Sequence, residues 1–230
     1  MNIIWLGHGS FRIEIEDQVL LIDPWVIGSP VFPEARIDEA LEGATQILIT
    51  HGHFDHTANA VEVSQRTKAP VSGMVELAGQ LHGRGAVEGH AFNKGGTVNF
   101  GKVSVSMVPA SHSSSLPTDT GPRYAGMETG FVIKGEGKTI YFSGDTTIMA
   151  DMGWIGQYYK PDIGILSCGG YYTMDMEMAA WASKTYFDFD TVIPSHYRTF
   201  PALEQSAAKL AEGLPGVDVI EPEILLAITL

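Results

Sequence analysis

The chain has 230 residues, an apolar fraction of 44% and a net charge of −13. That length suits a single domain, 1–230, with enough apolar residues to bury a sizeable core. The acidic balance disfavours a nucleic-acid surface, which needs a basic stripe. One cysteine, Cys168, rules out an internal disulfide and is read as a buried packing residue. No apolar run reaches the roughly 18 residues that span a bilayer. The N-terminus shows no basic segment ahead of a cleavable apolar one, so the expected location is the cytoplasm, away from membranes.

The first stretch reads as a β-meander: Ile3 to Trp5, Phe11 to Ile15 and Val19 to Ile22. Gly7-His8-Gly9 and Glu16-Asp17-Gln18 supply its turns. A short apolar strand follows at Gln46 to Ile49. Helices are predicted over Thr57 to Lys68 and Val75 to Leu81. His82 and His90 lie in a glycine-rich segment and are expected at the surface. Strands return at Val98 to Phe100 and Val103 to Val108. Phe131 to Ile133 and Thr139 to Phe142 form a hairpin around Gly135-Glu136-Gly137. Then come a helix at Asp151 to Tyr159, a strand at Ile163 to Leu166 and a helix at Met174 to Tyr186. A strand at Thr191 to Pro194 and a helix at Ala202 to Glu212 close the pattern. The pattern alone gives a mixed α/β fold.

One run stands out. His51, His53, Asp55 and His56 fall within six residues, directly after the strand that ends at Ile49. A solvated loop has no need of three histidines, whereas neutral imidazole suits Zn, Mn, Fe and similar ions. His112, Asp145 and His196 each follow another strand-like segment. Taken singly, His112 also suits a polar loop, Asp145 a helix cap and His196 a packing position. Four strand ends carrying ligand-type residues suggest one convergent site.

The pattern resembles the metallo-β-lactamase-fold hydrolase superfamily. The closest likeness is to the UPF0173 metal-dependent hydrolases, relatives of ascorbate-6-phosphate lactonases. It covers nearly the whole chain. It includes Trp5-Leu6-Gly7-His8-Gly9-Ser10, Leu21-Ile22-Asp23-Pro24 and Tyr141-Phe142-Ser143-Gly144-Asp145-Thr146. It also includes Gly170-Tyr171-Tyr172-Thr173-Met174 and His196-Tyr197-Arg198-Thr199-Phe200-Pro201. The resemblance implies a four-layer αβ/βα sandwich and two divalent metal ions, zinc first and Mn, Fe or Ni as alternatives. His51, His53 and His112 would hold the first ion. Asp55, His56 and His196 would hold the second, with Asp145 bridging.

The implied reaction is hydrolysis of a small ester, lactone or phosphoester by metal-activated hydroxide, with Asp55 as the catalytic proton acceptor. A phosphorylated sugar lactone is one substrate that analogy suggests. Two cations, two carboxylates and a hydroxide would leave roughly one net positive charge, so an anionic small molecule remains open as substrate. Homo-oligomers remain open too. Further candidates for touching the substrate or supporting the ligands are His8, Asp23, Arg123, Tyr124, Tyr197 and Arg198. Asp23 would orient a ligand histidine, and an arginine would suit phosphate or carboxylate. Tyr171 and Tyr172 either line the mouth or pack.

The alternative readings are a mononuclear iron dioxygenase acting on thiol-derived substrates, an RNA-processing nuclease and a metal-bound interaction protein. The nuclease branch carries a basic arm that this acidic chain lacks, and a complete ligand set disfavours a protein without turnover.

Overall fold

The computed structural model describes residues 1–230. Two seven-stranded sheets build the fold. The first uses β1 (Asn2–Trp5), β2 (Phe11–Ile15), β3 (Gln18–Ile22), β4 (Gln46–Ile49), β5 (Val71–Met74) and β6 (Glu88–Phe92). The second uses β7 (Thr97–Phe100), β8 (Val103–Pro109), β11 (Thr129–Gly135), β12 (Lys138–Phe142), β13 (Ile163–Ser167), β14 (Thr191–Ser195) and β15 (Asp218–Val219). A small hairpin, β9 (Ser115–Leu116) with β10 (Arg123–Tyr124), stands apart from both. The last strand, β16 (Ala227–Thr229), returns to pair with β1 and completes the first sheet.

The sheets pack face to face over one continuous apolar cluster of 55 buried residues. Phe11 meets Phe142 edge-on across the interface at 5.7 Å between ring centres. Helices cover the outer faces: α1 (Ile37–Leu41), α2 (Phe54–Thr57), α3 (Ala60–Thr67) and α4 (Val75–Gly83) belong to the first half. In the second half are α5 (Asp151–Tyr159), α6 (Met176–Tyr186) and α7 (Ala208–Gly213). This is the expected four-layer αβ/βα sandwich of the metallo-β-lactamase fold. No helix is long and apolar enough to cross a membrane.

Strand direction places the chemistry. β1 is antiparallel to β2, β2 to β3, and β3 runs parallel to β4. So β1, β3 and β4 all end at one edge of the first sheet. In the second sheet β8 and β12 are both antiparallel to β11, while β12, β13 and β14 are mutually parallel. So β8, β12 and β14 also end together. Open α/β sheets bind ligands outside the carboxyl ends of their strands.

Local chemistry explains most elements and most departures. The hairpin between β11 and β12 turns at Glu136 and Gly137, both with positive φ, as a tight hairpin requires. Helix α6 begins where the Asp175 side chain accepts from the Met178 amide at 2.7 Å. The helix expected over Thr57 to Lys68 is broken, because Asn59 turns its side-chain oxygen to accept from the Val26 and Ile27 amides. The helix expected from Ala202 starts only at Ala208. Tertiary hydrogen bonds hold the preceding turn instead: Arg198 N–H donates to Glu204 O, and Glu204 N–H donates to Gly169 O. His82 is half-buried rather than superficial, with Nε2 at 2.8 Å from the Val71 carbonyl oxygen, while His90 is exposed as expected.

Two predictions follow from the packing. Gly79 lies in α4 with open space around it, whereas a Cβ on Gly156 in α5 would sit 1.9 Å from the Tyr186 carbonyl oxygen. Gly79→Ala should therefore raise stability by about 0.5–1 kcal/mol. Gly156→Ala should lower it by about 1–3 kcal/mol despite the same gain in helix propensity. Urea unfolding midpoints check the two signs; a stabilised Gly156→Ala would contradict the packing.

Cys168 is fully buried, and burial pushes its thiol up to about 12. Its folded-state value is raised, so its contribution to stability is intact below the unfolded thiol's value of about 8.5 and is lost as pH climbs toward the folded one. Native protein should resist iodoacetamide at about pH 8 and react once unfolded in urea. Rapid alkylation of native protein would place the thiol at the surface.

Candidate metal centre

Nine ionisable side chains converge on the common edge of the sheets. His8 follows β1, Asp23 follows β3, and His51 follows β4. His53 caps the start of α2, which carries Asp55 and His56. From the second sheet His112 follows β8, Asp145 follows β12 and His196 follows β14.

The backbone is bent to aim them. His8, Asp23 and His196 all adopt positive φ, at 51°, 47° and 58°. Such residues cost roughly 1–3 kcal/mol each and cluster at functional sites. Gly144 (φ +59°) lets Asp145 approach, because a Cβ there would meet the Thr129 carbonyl oxygen at 2.3 Å.

Asp145 Oδ2 is the hub. It lies 3.0 Å from His196 Nε2, 3.4 Å from His56 Nε2, 3.7 Å from His112 Nε2 and 3.9 Å from His51 Nε2. Asp55 Oδ2 lies 2.8 Å from His8 Nε2, 3.4 Å from His56 Nε2 and 3.5 Å from His196 Nε2. Ligand atoms of His51, His53 and His112 form one group within 4.8 Å of one another. Those of His8, Asp55, His56 and His196 form a second by the same measure.

Hydrogen bonds fix which imidazole nitrogens are free. Asp23 Oδ2 accepts from His56 Nδ1 at 2.7 Å, which in the neutral ring leaves the lone pair of His56 on Nε2. That Nε2 is buried and has no hydrogen-bond partner. Thr50 Oγ1 donates to Asp23 Oδ2 at 2.5 Å, so it accepts from His51 Nδ1 at 3.0 Å. The lone pair of His51 is therefore on Nε2, 3.1 Å from His53 Nδ1. His53 Nε2 faces the Ser113 hydroxyl at 3.2 Å and can donate to it, which turns a second lone pair toward His51. Two lone pairs aimed into the same space, beside an orphaned buried nitrogen and two carboxylates, form a donor set that fits cations. Three imidazoles in a group with an open side suit zinc.

The side chains perturb one another strongly. Burial opposes the charge on Asp145 and Asp55, but the surrounding histidines hold both carboxyls well below the usual range. Burial also opposes charging of His196, and Asp145 outweighs it, raising the imidazole to about 9. His8 is pushed down to about 4, first by burial and then by His196. Burial pushes the Asp23 carboxyl up, against the donors from His56 and Thr50. Clusters of oppositely shifted groups are a mark of functional sites.

All seven expected ligands come together here, and so do two supporting candidates, His8 against Asp55 and Asp23 against His56. The other four do not reach the cavity above the cluster. Tyr197 is fully buried and stacks on Trp5 at 5.4 Å. Arg198 lies over the rings of Trp5 and Tyr197 and pairs with Glu221 at 3.7 Å. Arg123 and Tyr124 form the exposed strand β10, and Tyr124 is 66% exposed. Pairing with β9 holds Arg123 and Tyr124 at the surface, and the positive φ of Arg198 accompanies its turn over the Trp5 ring.

The sequence reading missed Thr50 and Thr199. Thr199 Oγ1 lies 2.9 Å from His8 Nδ1. A hydroxyl beside a candidate ligand was the only signal for Thr50. Phe54, Phe200 and several residues of the β9–β10 hairpin also line the cavity, and Tyr172 stands at its wall.

Residues 2–196 match the family model described as a beta-lactamase superfamily domain. Over 230 residues the chain is 60% identical to a UPF0173 metal-dependent hydrolase of Dinoroseobacter shibae, covering 100% of each chain. It is 58% identical over 228 residues to a UPF0173 metal-dependent hydrolase of Cereibacter sphaeroides, covering 99% of each. Among solved structures it is similar to Igni18, a metallo hydrolase from the archaeon Ignicoccus hospitalis. There the TM-score is 0.86 and the identity 30%, covering 99% of this chain and 97% of that one. On the strength of these matches and of the clustered histidines and carboxylates, the chain belongs to the UPF0173 metal-dependent hydrolases of the beta-lactamase superfamily.

Proposed function

We propose that the chain hydrolyses a small ester, lactone or phosphoester at a dinuclear centre, with zinc as the first candidate metal. The observation that carries this reading is the paired geometry of the donors. One group contains His51, His53 and His112, another contains Asp55, His56 and His196, and Asp145 Oδ2 lies within 3.9 Å of a nitrogen in both. His51, His53 and His112 would hold one ion; Asp55, His56 and His196 would hold the other; Asp145 would serve both. Bound there, two divalent ions supply Lewis acidity and bring the pKa of water to about 7.

The chain's own residues do the rest. Asp55 lines the cavity, and its Oδ2 is fixed by His8, so it is placed to take a proton from the attacking water. Asp23 and Thr50 hold His56 and His51 in the tautomers that turn Nε2 inward. The rings of Phe54 and Phe200 form part of the cavity wall.

Elemental analysis of protein purified without chelator should give about two metal equivalents. Full activity with a single equivalent would overturn the dinuclear reading. So would oxygen uptake on thiol substrates by a protein holding one iron. Asp145→Ala should abolish turnover and release metal. Retention of both ions at normal rates would make Asp145 only a cap.

Asp55→Asn keeps an oxygen for the metal but loses the negative charge and the proton acceptor. With metal occupancy checked in the same samples, kcat should fall about 10²–10⁴-fold while KM changes far less. An unchanged kcat at full occupancy would remove Asp55 as the proton acceptor.

A further inference from the structure

Above the histidine cluster lies a cavity of about 760 Å³, within the size range of small-molecule sites. Its ionisable lining is concentrated at the floor: His53, Asp55, His112, Asp145 and His196. The walls are different. Phe54, 53% exposed at the start of α2, and Phe200 form one side. Both rings rest on buried Trp25, whose centre is 5.4 Å from Phe54 and 6.1 Å from Phe200. Tyr172 adds a third ring, 56% exposed. The remaining wall carries the hydroxyls of Ser113, Ser115 and Thr118 beside the Pro117 and Pro122 rings.

No lysine or arginine is among the lining residues. Arg123, next to Pro122, is exposed on β10 and is not among the lining residues, and two other nearby arginines are engaged elsewhere. Arg84 donates to the Pro117 carbonyl oxygen at 3.3 Å, and Arg198 lies over Trp5 and Tyr197. An anionic group on the part of a substrate remote from the reacting bond would leave water without a cationic partner there. The wall hydroxyls offer such a group hydrogen bonds but no countercharge for the water it gives up. The chain's net charge of −13 adds no attraction. A flat apolar ring would instead meet aromatic faces, where offset or edge contacts are favourable.

Resting on the hydrolytic reading above, we infer that the substrate is an uncharged ester or lactone whose remote part is apolar and ring-bearing, seated between Phe54, Phe200 and Tyr172. A phosphorylated sugar fits these walls poorly.

The test uses the metal-loaded protein and two slowly cleaved amides, acetanilide and 4-acetamidobenzenesulfonate. They differ by one remote charge, and sulfonate is a weak metal ligand. Calorimetry should give at least about 10-fold tighter binding for acetanilide. Phe54→Ala and Tyr172→Ala, both at exposed side chains, should each weaken acetanilide binding about 3–10-fold with metal content unchanged. Equal affinities, a preference for the sulfonate, no binding of either amide, or full affinity in both variants would overturn the inference.

Phenyl acetate and 4-acetoxybenzenesulfonate, assayed in parallel, separate the two readings. Failure to cleave either ester, with the binding order intact, would remove ester hydrolysis and leave the pocket's selectivity standing. Faster cleavage of the sulfonate would keep hydrolysis and overturn the selectivity.

Discussion

The buried contact between Asp23 and Thr50 is the constraint on which the site depends. The two residues sit at the ends of neighbouring parallel strands, β3 and β4. Asp23 Oδ1 accepts from the Thr50 amide at 2.8 Å, and Oδ2 accepts from the Thr50 hydroxyl and from His56 Nδ1. Because the hydroxyl is committed as a donor to Asp23, it accepts from His51. One carboxylate thus sets the tautomer of two histidines, one in each proposed metal group. Thr50 also reaches across the fold. Its carbonyl oxygen accepts from the Thr129 amide at 3.1 Å and hydroxyl at 2.8 Å. Thr129 opens β11, so the same pair that orients the ligands fastens the second sheet to the first at the edge where the ligands meet. An error in this contact would shift the histidines and the sheet interface together.

That coupling clarifies why the backbone tolerates positive φ at His8, Asp23 and His196. Each conformation is unfavourable alone, and each is overdetermined by bonds that no other conformation would make. The His8 carbonyl oxygen accepts from the Trp5 indole at 2.9 Å and from the His196 amide at 3.0 Å, joining a residue after β1 to one after β14. The rings of His8 and His196 lie 3.9 Å apart. The strain at His8 and His196 is therefore shared across the sheets, while that at Asp23 is held by Thr50 and His56 within the first half.

This division explains what could be read from the sequence. The strands that deliver the clustered histidines and carboxylates are short apolar or alternating runs, and the histidine loop follows its strand directly, so the fold and the candidate cluster were legible together. β5 was not, since Val71-Ser72-Gly73-Met74 resembles a turn. Gly73 is needed there because a Cβ would lie 3.0 Å from the Ile49 carbonyl oxygen of the adjacent strand. β6 and β16 are largely exposed edge strands with little apolar signal. The cavity walls were only partly legible: lining the mouth was one of two readings for Tyr172, while Phe54 and Phe200 carried no such signal, and only the tertiary fold brings the three rings to one opening. Arg198 shows the converse. Two residues from His196, it looked well placed for substrate, yet its positive φ sends the guanidinium over Trp5.

The same geometry distinguishes the two site carboxylates under the proposed assignment. Asp145 is 3% exposed, and one of its oxygens faces four imidazole nitrogens. Histidines hold the charge on both carboxylates, so what separates the two is exposure rather than charge. The Asp55 side chain keeps 13% exposure and opens onto the cavity. Its Oδ2 is anchored by His8 Nε2, whose ring is fixed from behind by Thr199 Oγ1 at 2.9 Å from Nδ1. Buried His8 is favoured in its neutral form. A neutral ring that donates from Nε2 to Asp55 must accept at Nδ1, which requires the Thr199 hydroxyl to turn its one proton to the ring at 2.9 Å rather than to its other acceptor, the Tyr197 carbonyl oxygen at 3.2 Å. The Thr199–His8 pair thereby holds one Asp55 oxygen and leaves Oδ1 available at the cavity. A residue after β14 contacts a residue after β1, which contacts the carboxylate in α2, so the proposed proton acceptance at Asp55 would depend on a chain of contacts that crosses the sandwich.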